Sequence, residues 1–242
     1  MQKITLLVIV LLVAVSCGQT EKATEEVKEE VKDEKVVDWP NLAHFQEANS
    51  KLAAPAPDEN RVVFMGNSIT IGWLNSRPIF FEGKPYVNRG ISGQTTPQML
   101  LRFRQDVIDL HPDVVVILAG INDIAGNTGP STLEMIADNI KGMAEMAHAN
   151  GIKVIISSVL PAYDFPWSSG MEPAPKVKKL NAMMESYCKE KGHIYLDYFS
   201  AMVDDRGGLP KKYASDEVHP TIEGYKVMEP MVEKAISQAL QD

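Results

Sequence analysis

Disulfides, basic surface and long apolar segments are all scarce in this chain. It has two cysteines, Cys17 and Cys188, in 242 residues. One sits near the N-terminus and the other in a mid-chain helical pattern, so a disulfide scaffold is excluded. Lys and Arg number 24 against 32 Asp and Glu, for a formal charge of −8, and they form no stripe or cluster. Nucleic acid is therefore excluded as a partner. No G-x-G-x-x-G stretch follows the first internal apolar run, which counts against a nucleotide or flavin binder. There are five histidines, few enough to rank as bases one at a time.

One apolar run is present, at the N-terminus. Lys3 precedes a nearly unbroken apolar stretch from Ile4 to Val15, followed by Ser16 and Cys17. The run is too short to cross a bilayer comfortably and reads as an export signal over residues 1–16. Leu12-Val13-Ala14-Val15-Ser16-Cys17 resembles a bacterial lipoprotein signal, in which the cysteine becomes the acylated first residue. Ala14 stands where that pattern usually has Leu. The other reading is ordinary signal cleavage beside an incidental cysteine. The resemblance implies an exported protein, periplasmic or at the cell surface, held to the membrane by lipid on Cys17. Residues 17–38 then form a tether rich in Glu and Lys and without an aromatic before its end. Such a segment buries too little apolar surface to offset its ordering entropy.

Residues 39–242 carry the folded pattern, with no internal repeat. Roughly 200 residues suffice for one α/β domain with a sizeable core. Asn41 is the expected cap of a first helix reaching Leu52, and a Pro-Ala cluster breaks it. Strands are expected at Arg61–Met65, Val87–Arg89, Val114–Leu118, Lys153–Ser158 and His193–Leu196. Between them lie helical patterns at Pro97–Leu110, Ser131–Ala149 and Lys176–Lys191, and a last one runs from Pro220 toward Ala239 with a kink at Pro230. Ser131 and Glu134 are spaced as a capping box. Alternating strands and helices predict a parallel sheet covered on both faces. In such sheets ligands bind beyond the carboxyl ends of the strands.

Four blocks fall at such places: Gly66-Asn67-Ser68, Gly93, Gly120-Ile121-Asn122-Asp123 and Asp216-Glu217-Val218-His219. Ser68 follows a strand, where a serine either caps a helix or serves as a nucleophile if a base is in reach. His219 is the best base. His44 lies on an outlying helix, His111 and His193 precede strands and so belong at the opposite edge, and His148 is near a helix end. His219 alone sits in a loop three residues after a carboxylate, Asp216, which could fix its tautomer. The competing reading makes Asp216 a helix cap and His219 a surface residue. Gly93 can bring its backbone N–H close to a ligand, and Asn122 offers a side-chain amide, or the two are a turn glycine and an Asx turn. Asp216 and His219 have no clear third ligand, so no metal is expected.

In these blocks and their order the chain resembles the SGNH hydrolases, also called GDSL-type esterases and lipases. The resemblance covers Arg61 to the last helix. It implies a three-layer α/β/α sandwich with a flavodoxin-like, mainly parallel five-stranded sheet, and an esterase needing no metal or cofactor. It implies Ser68 as nucleophile, Ser68, Gly93 and Asn122 as the oxyanion hole, and Asp216 and His219 as the rest of the triad. Two departures stand out. Asn67 replaces the family's Asp, keeping its size without its charge, and Glu217 replaces a frequent Gly, adding a negative charge that would disfavour anionic substrates. Asp123 is expected to hold the Asn122 turn. Trp73, Tyr163 and Trp167 are candidates to line the substrate groove. The absence of a long lid-like insertion points to short acyl groups, acetyl above all, on a carbohydrate or other small alcohol. The alternatives are a lysophospholipase or thioesterase, and a binding lipoprotein that has lost turnover.

Overall fold

The computed structural model describes residues 37–241. The expected signal peptide, Cys17 and residues 17–36 of the tether lie outside the described residues. Five short strands form one sheet: β1 (Val62–Gly66), β2 (Tyr86–Gly90), β3 (Val114–Leu118), β4 (Lys153–Ser157) and β5 (Ile194–Leu196). All pairings are parallel, in the order β2-β1-β3-β4-β5. Every residue of β1 and β3 is buried, the mark of strands covered on both faces.

Helices fill both layers: α1 (Gln46–Lys51), α2 (Ser68–Ser76), α3 (Pro78–Phe81), α4 (Thr96–Asp106), α5 (Ile121–Ile124), α6 (Leu133–Ala149), α7 (Pro173–Lys191), α8 (Tyr198–Met202) and α9 (Ile222–Gln241). On one face α4, α6 and α7 pack side by side; on the other α9 spans β3 to β5 and meets α8. This is the expected three-layer α/β/α sandwich. Ile136, Ile140, Met143, Ala144 and Ala147 of α6 recur at helical spacing and are buried. Such side chains contribute about 1.5–3 kcal/mol each when large and fully buried. The α2 and α9 helices are joined across the other layer. Trp73 stacks on Tyr225 at 5.5 Å between ring centroids, and Arg77 makes a two-pronged ion pair with Glu229 at 2.8 and 2.9 Å.

The chain moves from β1 outward to β2 and then returns past β1 to β3. The two directions diverge at the carboxyl end of β1, the topological switch point where open sheets bind ligands. Register makes the convergence close. Gly66, the last residue of β1, is level with Gly90 of β2 and Leu118 of β3. The loops carrying Ser68, Gly93 and Asn122 therefore leave the sheet side by side. Gly90 has to be glycine, since a Cβ there would lie 2.4 Å from the Ile71 amide nitrogen at the start of α2.

Several expected boundaries shift. Asn41 does not cap the first helix; its φ is +59°, and the Asp38 carboxylate instead accepts the Leu42 and Ala43 amides at 2.7 and 2.9 Å. The cap of α6 is Thr132 rather than Ser131, with the Met135 N–H donating to its hydroxyl at 3.2 Å. The capping box belongs to α4, between Thr95 and Gln98. That helix ends at Asp106 and is followed by a separate 3₁₀ turn, Ile108–Leu110. The α7 helix starts at Pro173, ahead of Lys176, because proline is well accommodated in a first turn. The α9 helix continues through Pro230 to Gln241.

Candidate active site

Ser68 is the first residue of α2, directly after β1. The preceding residue, Asn67, caps that helix: its Oδ1 accepts the Ile69 N–H at 3.0 Å. Asn67 thus supports the turn through its oxygen, as the shape shared with Asp allows. Its Nδ2, which an Asp would lack, is buried without a partner. With the cap supplied by Asn67, the Ser68 hydroxyl is released from that task. It lies 2.9 Å from His219 Nε2. A first-turn N–H has no acceptor within its own helix, so the Ser68 amide is available to a ligand.

His219 Nδ1 lies 2.6 Å from Asp216 Oδ2. An ionised carboxylate only accepts, so Nδ1 carries the proton and Nε2 accepts from Ser68. The other oxygen, Asp216 Oδ1, accepts the Val218 and His219 backbone amides at 3.0 and 2.7 Å. Burial alone would raise the Asp216 pKa. The His219 amide, the His219 ring and the Val218 amide outweigh it and hold the carboxyl below its ordinary range. The Asp216 carboxylate is therefore anionic at neutral pH, as an orienting partner requires.

The opposite wall is built by two loops. Gly93 has a φ of +78°, a conformation that favours glycine, and a Cβ there would meet nothing within 4 Å. Asn127 Nδ2 donates to the Gly93 carbonyl at 3.1 Å and fixes that peptide group. Asn122, in α5, is buried, and its Nδ2 donates to the Gln94 carbonyl at 2.9 Å. A side-chain amide has two N–H groups, which leaves one for another acceptor. Asp123 holds the turn from behind. Its carboxylate accepts the Thr96 N–H at 3.0 Å and the Thr96 hydroxyl at 2.6 Å. Burial pushes the Asp123 carboxyl up to about 6, against the Thr96 hydroxyl and amide, which pull it down.

The model of the GDSL-like lipase/acylhydrolase family matches residues 64–227, most of the chain. The chain belongs to this family. It is accordingly a hydrolase of the GDSL/SGNH type. Two solved structures are similar over nearly their whole length. A GDSL-like lipase from Bacteroides thetaiotaomicron is 48% identical, covering 83% of this chain and 98% of that one, with a TM-score of 0.81. A Bacteroides fragilis protein provisionally classed as an acylhydrolase is 46% identical, covering 85% and 100%, with a TM-score of 0.83. An uncharacterized lipoprotein from Bacillus subtilis, YqeF, is 35% identical over 93 residues, 37% of this chain and 38% of its own length. This chain therefore matches well under half of that curated relative.

The aromatic candidates of this GDSL-like hydrolase separate. Trp73 does not line the cleft. It is 2% exposed, stacked between Phe80 and Tyr225, because its position on α2 faces the core beneath the sheet edge. Trp167 is half exposed, and its ring centroid lies 6.0 Å from that of His219. It stacks on buried Phe165, which fixes the loop after β4. Tyr163 is also half exposed, with the Arg206 guanidinium 5.0 Å from its ring centroid. Cys188 is buried in α7, and burial pushes its thiol up to about 12, so it is inert as a thiolate. His148 and His193 face each other at 5.8 Å near the amino ends of β4 and β5, away from Ser68.

Sequence reasoning missed the polar layer under these loops. Arg102 and Asp106 are fully buried and paired at 3.0 Å. Their signal was present: with Met99 and Phe103 they fall on one helical face, so the apolar stripe of α4 carried two charges. Gln94 and Thr96 carried no such mark.

Proposed function

We propose that the chain is a serine esterase working through Ser68, His219 and Asp216. The observation that carries this is the unbroken hydrogen-bond chain from Ser68 Oγ through the His219 ring to Asp216, with steps of 2.9 and 2.6 Å. His219 takes the Ser68 proton as the hydroxyl attacks the ester carbonyl. The amides of Ser68 and Gly93 and the free N–H of Asn122 hold the oxyanion. The alcohol leaves with the proton from His219, and water releases the acyl group from Ser68 in a second pass.

The substrate class we infer is a short acyl ester, acetyl above all, of a neutral carbohydrate or comparable small alcohol. Half-exposed Trp167 beside His219 offers a flat face of the kind sugars stack on, and the cavity beside Tyr163, lined also by Asp164, Glu172 and Arg206, carries charged groups that a long acyl chain would disfavour. Asp204 and Glu217 share one cation, Arg206, which leaves an excess of one negative charge within this trio and disfavours anionic substrates.

Hydrolysis of p-nitrophenyl acetate beside p-nitrophenyl octanoate tests both parts. Turnover of acetate, faster than octanoate and abolished in Ser68→Ala, is the expected result. Ser68→Ala retaining more than a small percentage of activity would overturn the nucleophile. Octanoate preference would move the substrate class to lipids and thioesters. No turnover by folded protein would leave a binding protein. We further propose that the protein is exported and lipid-anchored at Cys17, in keeping with the lipoprotein relative. Metabolic labelling with a fatty acid should mark the full chain and be lost in Cys17→Ser.

A further inference from the structure

The cleft is shaped by two side chains that do not face it. Gln94 follows Gly93 in the loop from β2 to α4 and is 3% exposed. Its backbone carbonyl accepts Asn122 Nδ2 at 2.9 Å. Its side chain is held at both ends: Oε1 accepts Arg102 Nε at 2.5 Å, and Nε2 donates to the Pro40 carbonyl at 2.7 Å. Arg102, wholly buried on α4, donates Nη2 to the Gly66 carbonyl at 3.0 Å and the Arg89 carbonyl at 2.9 Å, and Nη1 to Asp106 at 3.0 Å. Burial lowers the Arg102 pKa to about 10, partly offset by Asp106, so the group stays cationic and all its donors persist at neutral pH. One guanidinium thereby ties the end of β1, the end of β2 and the Gln94 side chain together. Ser68 and Gly93 leave from these two strand ends, and Gln94 supplies the acceptor that orients Asn122.

We propose that Gln94 and Arg102 are positioning residues for the oxyanion donors. The clamp sets the Gln94 carbonyl, and that carbonyl, by taking one N–H of Asn122, aims the other into the cleft. This rests on the reading of Asn122 as an oxyanion donor. The physical requirement is geometric. Donors act on the transition state only when held where the oxyanion forms, and a misplacement on the order of 1 Å costs up to about 100-fold. Pro40 makes the segment just after the tether part of the clamp.

The test is a double-mutant cycle on p-nitrophenyl acetate with Gln94→Met, Asn122→Ala and the pair. Gln94→Met keeps the volume and removes both side-chain bonds. Its kcat should fall between about 10- and 100-fold with KM within about twofold. Asn122→Ala should lose about 100- to 1,000-fold in kcat. The pair should be no more than about threefold worse than Asn122→Ala alone, because Gln94 acts through Asn122. Gln94→Glu keeps an acceptor for Arg102 and should recover kcat to within about threefold of the parent. Independent, multiplying losses in the pair, or a Gln94→Met variant with parental kcat, would overturn the proposal. A merely structural Gln94 would lower Tm and the active fraction without this coupling. Should Gln94→Met not fold, Gln94→Ser in the same cycle carries the same reading. If Asn122→Ala keeps parental kcat, the oxyanion reading itself fails, a result distinct from additivity.

Discussion

Glu217 holds its carboxylate 3.2 Å from the Arg206 guanidinium while its own backbone sits at φ +68°. The residue combines a left-handed conformation with a partly exposed ion pair, one residue from Asp216. Conformations of this kind cost a non-glycine residue about 1 kcal/mol or more. An exposed pair returns about 0–1 kcal/mol. Glu217→Gly should therefore hold or raise Tm, by up to about 4 °C. It should leave kcat on a neutral acetate ester near parental and improve kcat/KM on an anionic one. Thermal unfolding and paired kinetics check this. A Tm drop of several degrees would show that the ion pair outweighs the backbone strain.

The tryptophans make a second, separable prediction. Trp73 is core, packed among Phe64, Phe80, Phe81 and Tyr225. Trp73→Ala should cost about 3–5 kcal/mol in chemical unfolding. Trp167→Ala should cost less, about 1–2 kcal/mol, since this half-exposed ring meets the core through its stack on Phe165. It should instead raise KM for an acetylated oligosaccharide several-fold more than for p-nitrophenyl acetate. Equal KM changes on the two substrates would remove Trp167 from the alcohol-binding side.

The contrast between these residues shows what a linear sequence discloses. The β-branched run Val114–Leu118 could only be a buried strand, and its spacing from the other runs yielded the parallel sheet. From that sheet, the strand-end positions of Ser68, Gly93 and Asn122 follow, and the loop position of His219 singled it out among five histidines. Trp73 misled because residues near a site in sequence face the core as readily as the cleft. Its neighbour in space, Tyr225, is 152 positions away. The cap assignments failed for a local reason. Ser131 and Thr132 are adjacent and chemically equivalent as caps, and only the backbone path decides between them. Gln94 was invisible because its partners, Pro40, Arg102 and Asn122, come from three separate segments.

Asp216 supplies a third prediction. Its Oδ1 accepts the Val218 and His219 amides, a role an amide oxygen can keep, while Oδ2 accepts a hydrogen bond from His219 Nδ1–H. Asp216→Asn should therefore fold normally. The new amide would donate to Nδ1 and favour the tautomer with the proton on Nε2, which cannot accept from Ser68. A loss of about 10- to 1,000-fold in kcat is expected, smaller than that of Ser68→Ala because nucleophile and base are both still present and the competent tautomer is disfavoured rather than removed. A loss equal to that of Ser68→Ala would show that the pair cannot operate without the carboxylate.

Asp123 gives a prediction in pH. Burial raises its folded pKa to about 6, against 3.8 for an ordinary Asp carboxyl. The folded state therefore binds this proton more tightly than the unfolded chain. Between those two values the unfolded chain holds fewer protons at this site, so stability falls as pH rises. The contribution is complete below pH 3.8 and lost as pH climbs through about 6. At about 1.4 kcal/mol per unit the span is on the order of 3 kcal/mol. Asp123→Asn has no such titration, and its oxygen still accepts from Thr96. Urea unfolding at pH 4 and pH 7 should show the variant gaining on the parent by up to that amount across the interval. Other carboxylates, Asp216 among them, are depressed and slope the opposite way, so only the difference between variant and parent isolates Asp123. A difference that is flat with pH would mean that the Thr96 hydroxyl and amide solvate the carboxylate fully, and that its burial carries no ionisation penalty.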